Sequence, residues 1–294
     1  MRRIFYFLVT NLAILIVLSA VMKVFGIRDM SLLVFAAIFG MGGAFLSLAL
    51  SKWSAKRLTG AKVIESPSNE AEAWLVRTVG DLAKKAGIGM PEVAVYPADD
   101  VNAFATGMQR NKALVAVSVG LMRKMDRDQV RAVLAHEVGH VANGDMTTLA
   151  LIQGVLNTFV IYLSRVIGST VDRMVFRTGE DDRHVGYGPA YWIITILAEI
   201  VLGILASIIV FWFSRKREYR ADSSAASMVG KKPMMSALEA LKASVRLPHL
   251  PDEMAAFGIS GGKKKGLAAL FATHPDLDDR IRALAASRYP EYKP

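Results

Sequence analysis

His136, Glu137 and His140 fall within five residues of one another, in Ala135-His136-Glu137-Val138-Gly139-His140. On a helix, residues i and i+4 project from one face, so the two imidazoles can grip one metal ion together. Glu137 lies roughly 100° round the helix from His136. From that position a carboxylate serves better as a base acting on water than as a further ligand. The H-E-x-x-H spacing is how zinc hydrolases obtain two ligands and a general base from one helix. The competing reading is a chance match on an amphipathic helix, which five His in 294 residues make rare.

A catalytic zinc takes a third protein ligand and keeps its fourth position open. The chain has no Cys, which excludes disulfides and thiolate sites and leaves carboxylates or His. In Arg217-Glu218-Tyr219-Arg220-Ala221-Asp222 the two acids are i and i+4 and share a helix face. Glu218 can bind zinc, while Asp222 can accept the free ring N–H of a ligating His and fix its tautomer. Without the first motif, a surface pair making helix salt bridges is the better explanation of these acids.

Other residues extend the set. His274, in Thr273-His274-Pro275, is a candidate for oxyanion contact or for capping the zinc site, against a structural hydrogen bond at a helix start. Arg280 either orients the site or pairs with Asp276. The Asn102–Thr106 stretch reads as a strand, either an edge that aligns substrate by β-addition or a buried strand. His184 and His249 fall in loops and are expected to be solvated.

These residues need elements to hold them. Asp126-x-x-Gln129 reads as a capping box opening the helix that carries His136, Glu137 and His140. Val130, Val133, Leu134, Val138 and Val141 give it an apolar side. Before it, Asn69 caps a helix running to Ala86, Glu92–Tyr96 is a short strand, and Leu114–Ser118 pairs with Asn102–Thr106 as an antiparallel hairpin, with Gly107 as a bulge or strand end. A further helix is expected over Pro233–Val245. Gly258–Gly266, with Lys263, Lys264 and Lys265, reads as a basic loop.

Four apolar runs surround this material: Ile4–Phe25, Ser31–Leu50, Met146–Gly168 and Ala190–Phe213. Each is long enough to cross the hydrocarbon core, although polar residues interrupt the third. The last two read alternatively as a hydrophobic hairpin partly buried in the protein itself. The first lacks a small-residue cleavage site and is followed at once by the second, which argues for a membrane hairpin over a signal peptide. Small residues at Gly40, Gly43 and Ser47 are expected to let these helices pack closely. The polar connection Ser169–Pro189 is expected to be a mobile loop. Glu199, the one charge in the fourth run, reads as a polar contact in the bundle or a substrate groove, or else as a carboxylate near the interface or held neutral. Composition agrees: 53% of residues are hydrophobic and 21% charged, and mean hydropathy is +0.33, which fits spans plus a soluble domain. The net charge of +10 brings no nucleic-acid motif with it, and no glycine pattern for a nucleotide is present. The basic residues instead flank the apolar runs, as Arg2 and Arg3, Lys52, Lys56, Arg57 and Lys62, and Arg215-Lys216-Arg217. By the positive-inside rule that puts the catalytic segment in the cytoplasm. The expected organisation is a hairpin at 1–50, a first protease part at 51–145, a second hairpin at 146–213 and a second protease part at 214–294.

The ordered set of Asn102-Ala103-Phe104, His136-Glu137-x-x-His140 with Asn143-Gly144-Asp145, Glu218-x-x-x-Asp222 and Thr273-His274-Pro275 resembles the HtpX membrane-bound zinc metalloproteases, which are related to the CAAX prenyl-protease type. The likeness covers nearly the whole chain. It implies an α+β fold of the gluzincin type, helix-rich with a small sheet, combined with about four transmembrane helices. It implies one zinc ion held by His136, His140 and Glu218, with Glu137 as general base. It also implies quality control in the bacterial inner membrane, with misfolded membrane proteins as substrates and lipids as neighbours. Two other readings stay open: an intramembrane or CAAX-type protease, which the charges at Arg127, Asp128 and Arg131 disfavour, and a non-catalytic scaffold with a structural zinc, which has no need of Glu137.

Overall fold

The computed structural model describes residues 30–176, 188–244 and 272–286. The first apolar run, His184, His249 and the Gly258–Gly266 loop lie outside the described residues. Two compact units emerge, one taking in the residues up to Ser47 with Leu149–Val210, the other Leu48–Thr148 with Phe211 onward.

In the second of these, a four-stranded sheet has the order β1-β2-β4-β3. β1 is Lys62–Val63, β2 Glu92–Tyr96, β3 Ala103–Thr106 and β4 Leu114–Ser118. β2 and β4 run parallel. β3 lies antiparallel to β4 with Ala103 opposite Val117 and Thr106 opposite Leu114, the hairpin read from the sequence. Gly107 (φ 129°) ends β3, in backbone that a side chain rarely adopts. All five residues of β4 are buried, so its alternate side chains enter two different layers. Val115 and Val117 join Leu75, Val79 and Leu82 of α2 (Glu70–Lys85) and Val130, Val133, Leu134 and Val138 of α4 (Arg127–Asn143). Leu114 and Ala116 pack with Tyr96, Phe104 and Ala55.

Two elements had no signal in the sequence. β1 is only two residues long. α3 (Val119–Lys124) is opened by Ser118, whose Oγ accepts from Leu121 N at 2.9 Å. Gly120 is needed there because a Cβ would strike the backbone of Asp99.

α4 begins with the expected capping box: Asp126 Oδ1 accepts from Gln129 N at 2.8 Å and Gln129 Oε1 accepts from Asp126 N at 3.2 Å. It ends at Gly144, which is left-handed (φ 71°, ψ 35°) and lets α5 (Asp145–Phe176) start at the next residue. α5 runs past Gly168, so the expected loop from Ser169 is helical as far as Phe176. That stretch contains no Pro or Gly to stop it, and Asp172, nearly fully buried, accepts from Gly188 N at 2.7 Å. α6 (Pro189–Val229) joins the fourth apolar run and Glu218–Asp222 in one uninterrupted helix. α7 (Lys231–Ser244) and α8 (Leu277–Ala286) complete the described order.

Among the described residues three helices are long and apolar enough to cross a membrane, Ser31–Thr59 of α1 (Met30–Thr59), Asp145–Val175 and Ala190–Val229. The fourth expected span lies outside them. In the unit formed by these helices, Leu33, Ala36, Ala37, Gly40 and Ala44 of α1 are buried. A Cβ on Gly40 would strike the backbone of Thr158, and one on Gly154 would press on Met41 and Ala44. Gly40 thus packs closely against α5, while the first apolar run, the expected partner of Gly40, Gly43 and Ser47, lies outside the described residues. Among the described residues nothing approaches Gly43, and Ser47 is exposed. Those two stand about one helical step off the buried row. Glu199 is held by Arg165 of α5 at 2.9 Å, a contact within the helical bundle.

Candidate metal centre

Every residue from Ala132 to Val141 of α4 is buried, which places His136 and His140 inside the protein. α6 brings Glu218, fully buried, against them. The three side chains converge as a group able to hold one ion. His136 Nε2 and His140 Nε2 are 3.1 Å apart. Glu218 Oε2 is 3.4 Å from His136 Nε2, and Glu218 Oε1 is 3.3 Å from His140 Nε2.

The hydrogen-bonding partners decide what this convergence means. His136 Nδ1 lies 2.9 Å from Asp222 Oδ1 and His140 Nδ1 lies 2.7 Å from Asp145 Oδ2. Each carboxylate can only accept when ionised, so each Nδ1 is the donor, and in the neutral ring that binds a metal each Nε2 presents a lone pair. Neither oxygen of Glu218 has a hydrogen bond despite its burial. Three acceptors therefore face one another with no donor among them, an arrangement that is costly unless a cation sits between. Their separations are close to the ligand–ligand edges of about 3.4 Å expected round a tetrahedral ion with N and O bonds of about 2.1 Å. The donor set fits a metal ion.

The surrounding charges act in the same sense. Burial opposes a charged His140, but Glu218 and the Asp145 hydrogen bond outweigh it and raise its pKa to about 9. His136 is raised too, burial being overcome by its hydrogen bonds to Asp222 and Glu218. Both shifts record how strongly the site attracts positive charge. Glu137 is buried, and burial above all lifts its pKa over the ordinary carboxylate value, with His136 and His140 pulling the other way. A carboxylate held at raised proton affinity is suited to take a proton from water.

Arg280 is fully buried on α8. Its Nε and one terminal nitrogen bond the two oxygens of Asp222 at 2.8 and 2.6 Å. The guanidinium thus clamps the carboxylate that holds His136, and its own pKa rises although burial acts to lower it, Asp222 being the principal cause. Its side chain pairs with Asp222, whereas its link to Asp276 is only a backbone one, Arg280 N to Asp276 O. His274 Nδ1 lies 3.0 Å from Glu218 Oε2, with the side chain one-tenth exposed.

The fold therefore gathers His136, Glu137, His140, Glu218, Asp222, His274 and Arg280. Asn102 is placed at the start of β3, buried, its backbone bonded to Ser118. Asp145 was not singled out by spacing, yet it is fully buried on His140. Its signal was present: a carboxylate directly after a helix-ending Gly, five residues beyond a ligand His that needs an acceptor for its second nitrogen.

The family model of peptidase family M48 matches residues 69–288. A relative described as a protease HtpX homolog, from Nitrosomonas eutropha, is 56% identical over 98% of this chain and 100% of its own length. Protease HtpX of Alkalilimnicola ehrlichii is 55% identical over 98% of this chain and 99% of its own. The crystal structure of Ste24p from S. mikatae superposes with a TM-score of 0.61 at 18% identity, covering 92% of this chain and 62% of that one, a likeness of fold. With helices apolar enough to span a bilayer and a His-His-Glu cluster built for a metal ion, the chain belongs to peptidase family M48, as a membrane metalloprotease of the HtpX type.

Proposed function

We propose that the ion is zinc, held by His136, His140 and Glu218, and that Glu137 is the general base of peptide-bond hydrolysis. The observation that carries this is the convergence of three acceptor atoms with no donor, beside a buried glutamate that is not one of them. Two imidazoles and one carboxylate form the donor set of zinc peptidases. Zinc when bound supplies Lewis acidity, worth a water pKa near ~7. Glu137 receives the proton as water attacks the scissile carbonyl and can return it to the leaving amine. Asp222 and Asp145 hold the imidazoles by their Nδ1–H groups, and Arg280 keeps Asp222 in place. His274 stands next to Glu218, where a partly exposed imidazole can meet the substrate carbonyl. β3 is the last strand in the sheet order, and its outer edge suits an extended substrate added through main-chain hydrogen bonds led by Asn102.

The substrates in this proposal are misfolded membrane proteins and the place is the bacterial inner membrane, with lipids around the spans and the active site facing the cytoplasm. The relatives are bacterial proteases named HtpX, and basic residues gather on the flanks of the spans nearest the catalytic segments. The division into hairpins at 1–50 and 146–213 and protease parts at 51–145 and 214–294 belongs to the same proposal, supported by where hydropathy changes along the chain.

Zinc content and caseinolysis of the wild type and Glu137→Gln in detergent test the chemistry. One zinc per chain is expected in both, with turnover about 10²–10⁴-fold lower in the variant. Undiminished proteolysis by a clean Glu137→Gln preparation overturns the base, and absence of zinc from both overturns the metal. Membrane proteins trapped on the same variant identify the substrates.

A further inference from the structure

The basic clusters near the end of α1 and after the apolar run of α6 share a division of labour. In α1, Lys52 bonds Glu92 at 2.6 Å and the carbonyl of Lys112 at 2.8 Å, and Lys56 reaches Glu92 at 3.3 Å. In α6, Arg215 bonds the carbonyl of Ala272 at 2.8 Å, and Arg217 lies 3.7 Å from Glu218. Within each helix one exposed cation of the cluster has no carboxylate paired to it among the described residues, Arg57 in α1 and Lys216 in α6. Each lies over a Trp one turn earlier: Arg57 is 5.7 Å from the ring centre of Trp53, and Lys216 is 5.6 Å from that of Trp212.

The parallel extends along both helices. Leu46, Leu50, Trp53 and Arg57 repeat the spacing of Leu205, Ile209, Trp212 and Lys216, steps of four, three and four residues. Such steps stay within an arc of about 60°, so each set forms one stripe. Its apolar members are all exposed, with Trp53 at 60% and Trp212 at 54%. An exposed stripe that goes from aliphatic to indole to cation follows the profile of a bilayer from hydrocarbon through interface to headgroup.

We propose that the two stripes are matched binding sites for anionic phospholipid, with Arg57 and Lys216 on the headgroup phosphates and Trp53 and Trp212 at the interface. Each cation is exposed beside its indole, so its charge is open to an anion from outside the protein. The proposal rests on α1 and α6 being bilayer spans and is independent of the hydrolytic chemistry.

Brominated lipids test it in the full-length protein. The chain has four Trp, so Trp74→Phe with Trp192→Phe leaves only the two reporters. In phosphatidylcholine vesicles, brominated phosphatidylglycerol is expected to quench them at a mole fraction about fivefold lower than brominated phosphatidylcholine. Arg57→Gln with Lys216→Gln is expected to remove that preference, whereas Lys84→Gln with Arg123→Gln, which takes away as much charge elsewhere, keeps it. Equal quenching by both lipids overturns the headgroup sites and leaves the spans standing. A preference that survives the Arg57/Lys216 pair, or that falls as far in the control pair, also overturns them. Absence of quenching by either lipid overturns the sites and the spans together.

Discussion

α4 and the Ala190–Val210 stretch of α6 are both regular helices, yet they treat water oppositely. α4 carries two His, a Glu and several other charges and is buried from Ala132 to Val141. The α6 stretch is almost wholly apolar, and it exposes Trp192, Ile193, Ile196, Leu197, Ile200, Val201, Ile204, Leu205 and Ile209. Burial in this protein therefore does not follow hydrophobicity. α4 can be buried because its polar groups converge on one another, on carboxylates and on a site for an ion, which offsets desolvation. The α6 stretch can be exposed because hydrocarbon, unlike water, exacts nothing for contact with Ile and Leu.

Beyond the loss of turnover expected of Glu137→Gln, substitutions can separate the two regimes. The largest effect on stability is expected at Arg280. Arg280→Met leaves the Asp222 carboxylate buried without its main counter-charge, and breaking such a pair costs about 3–5 kcal/mol. Thermal or denaturant unfolding in detergent reads it, and a loss under about 1 kcal/mol would show that Asp222 does not depend on its clamp. The corresponding blow to α6 is Ile200→Asp, which places a charge on the exposed apolar face and should disfavour insertion by about 3 kcal/mol. Unchanged membrane yield for that variant would mean the face does not meet lipid.

Asp145→Asn is expected to act on the metal more than on the fold. It retains an acceptor for His140 but removes its charge, and loss of such a partner lowers metal affinity about 10–100-fold. Chelator competition measures this, and unaltered affinity would remove Asp145 from the site. The smallest effect is expected at the N-terminus of α4, where Asp126→Ala opens the capping box. That should cost about 1 kcal/mol with metal affinity intact, since the cap lies nearly three turns from His136. A large drop in affinity would show that the helix transmits strain at its end to the ligands.

The elements around the site were legible to different degrees. α2, β2, the β3–β4 hairpin and the capped start of α4 follow from local patterns: Asn69 and Asp126 as caps, short runs of strand-forming residues, and Gly107 as a stop. Gly144 was legible as part of a motif but not as the turn that separates α4 from α5, since a left-handed residue can end a helix or redirect it. β1 and α3 gave no pattern because they depend on neighbours distant in sequence, β2 for the one and the Asp99 backbone for the other. The helical run from Ser169 to Phe176 carries no such local pattern, because its polar residues resemble a loop until Asp172 meets Gly188.

What the sequence determined by itself was the pair His136 and His140 with Glu137 beside them, because three residues within five need only the helical repeat to define their directions. The apolar runs were equally explicit, since length and hydropathy suffice to satisfy a bilayer. Tertiary structure alone decided that Glu218, some eighty residues away, meets both imidazoles, that Asp222 and Asp145 hold one imidazole each, and that Arg280 clamps only the first. Those pairings depend on how α4, α6 and α8 pack, and no periodicity within one helix encodes the distance to another.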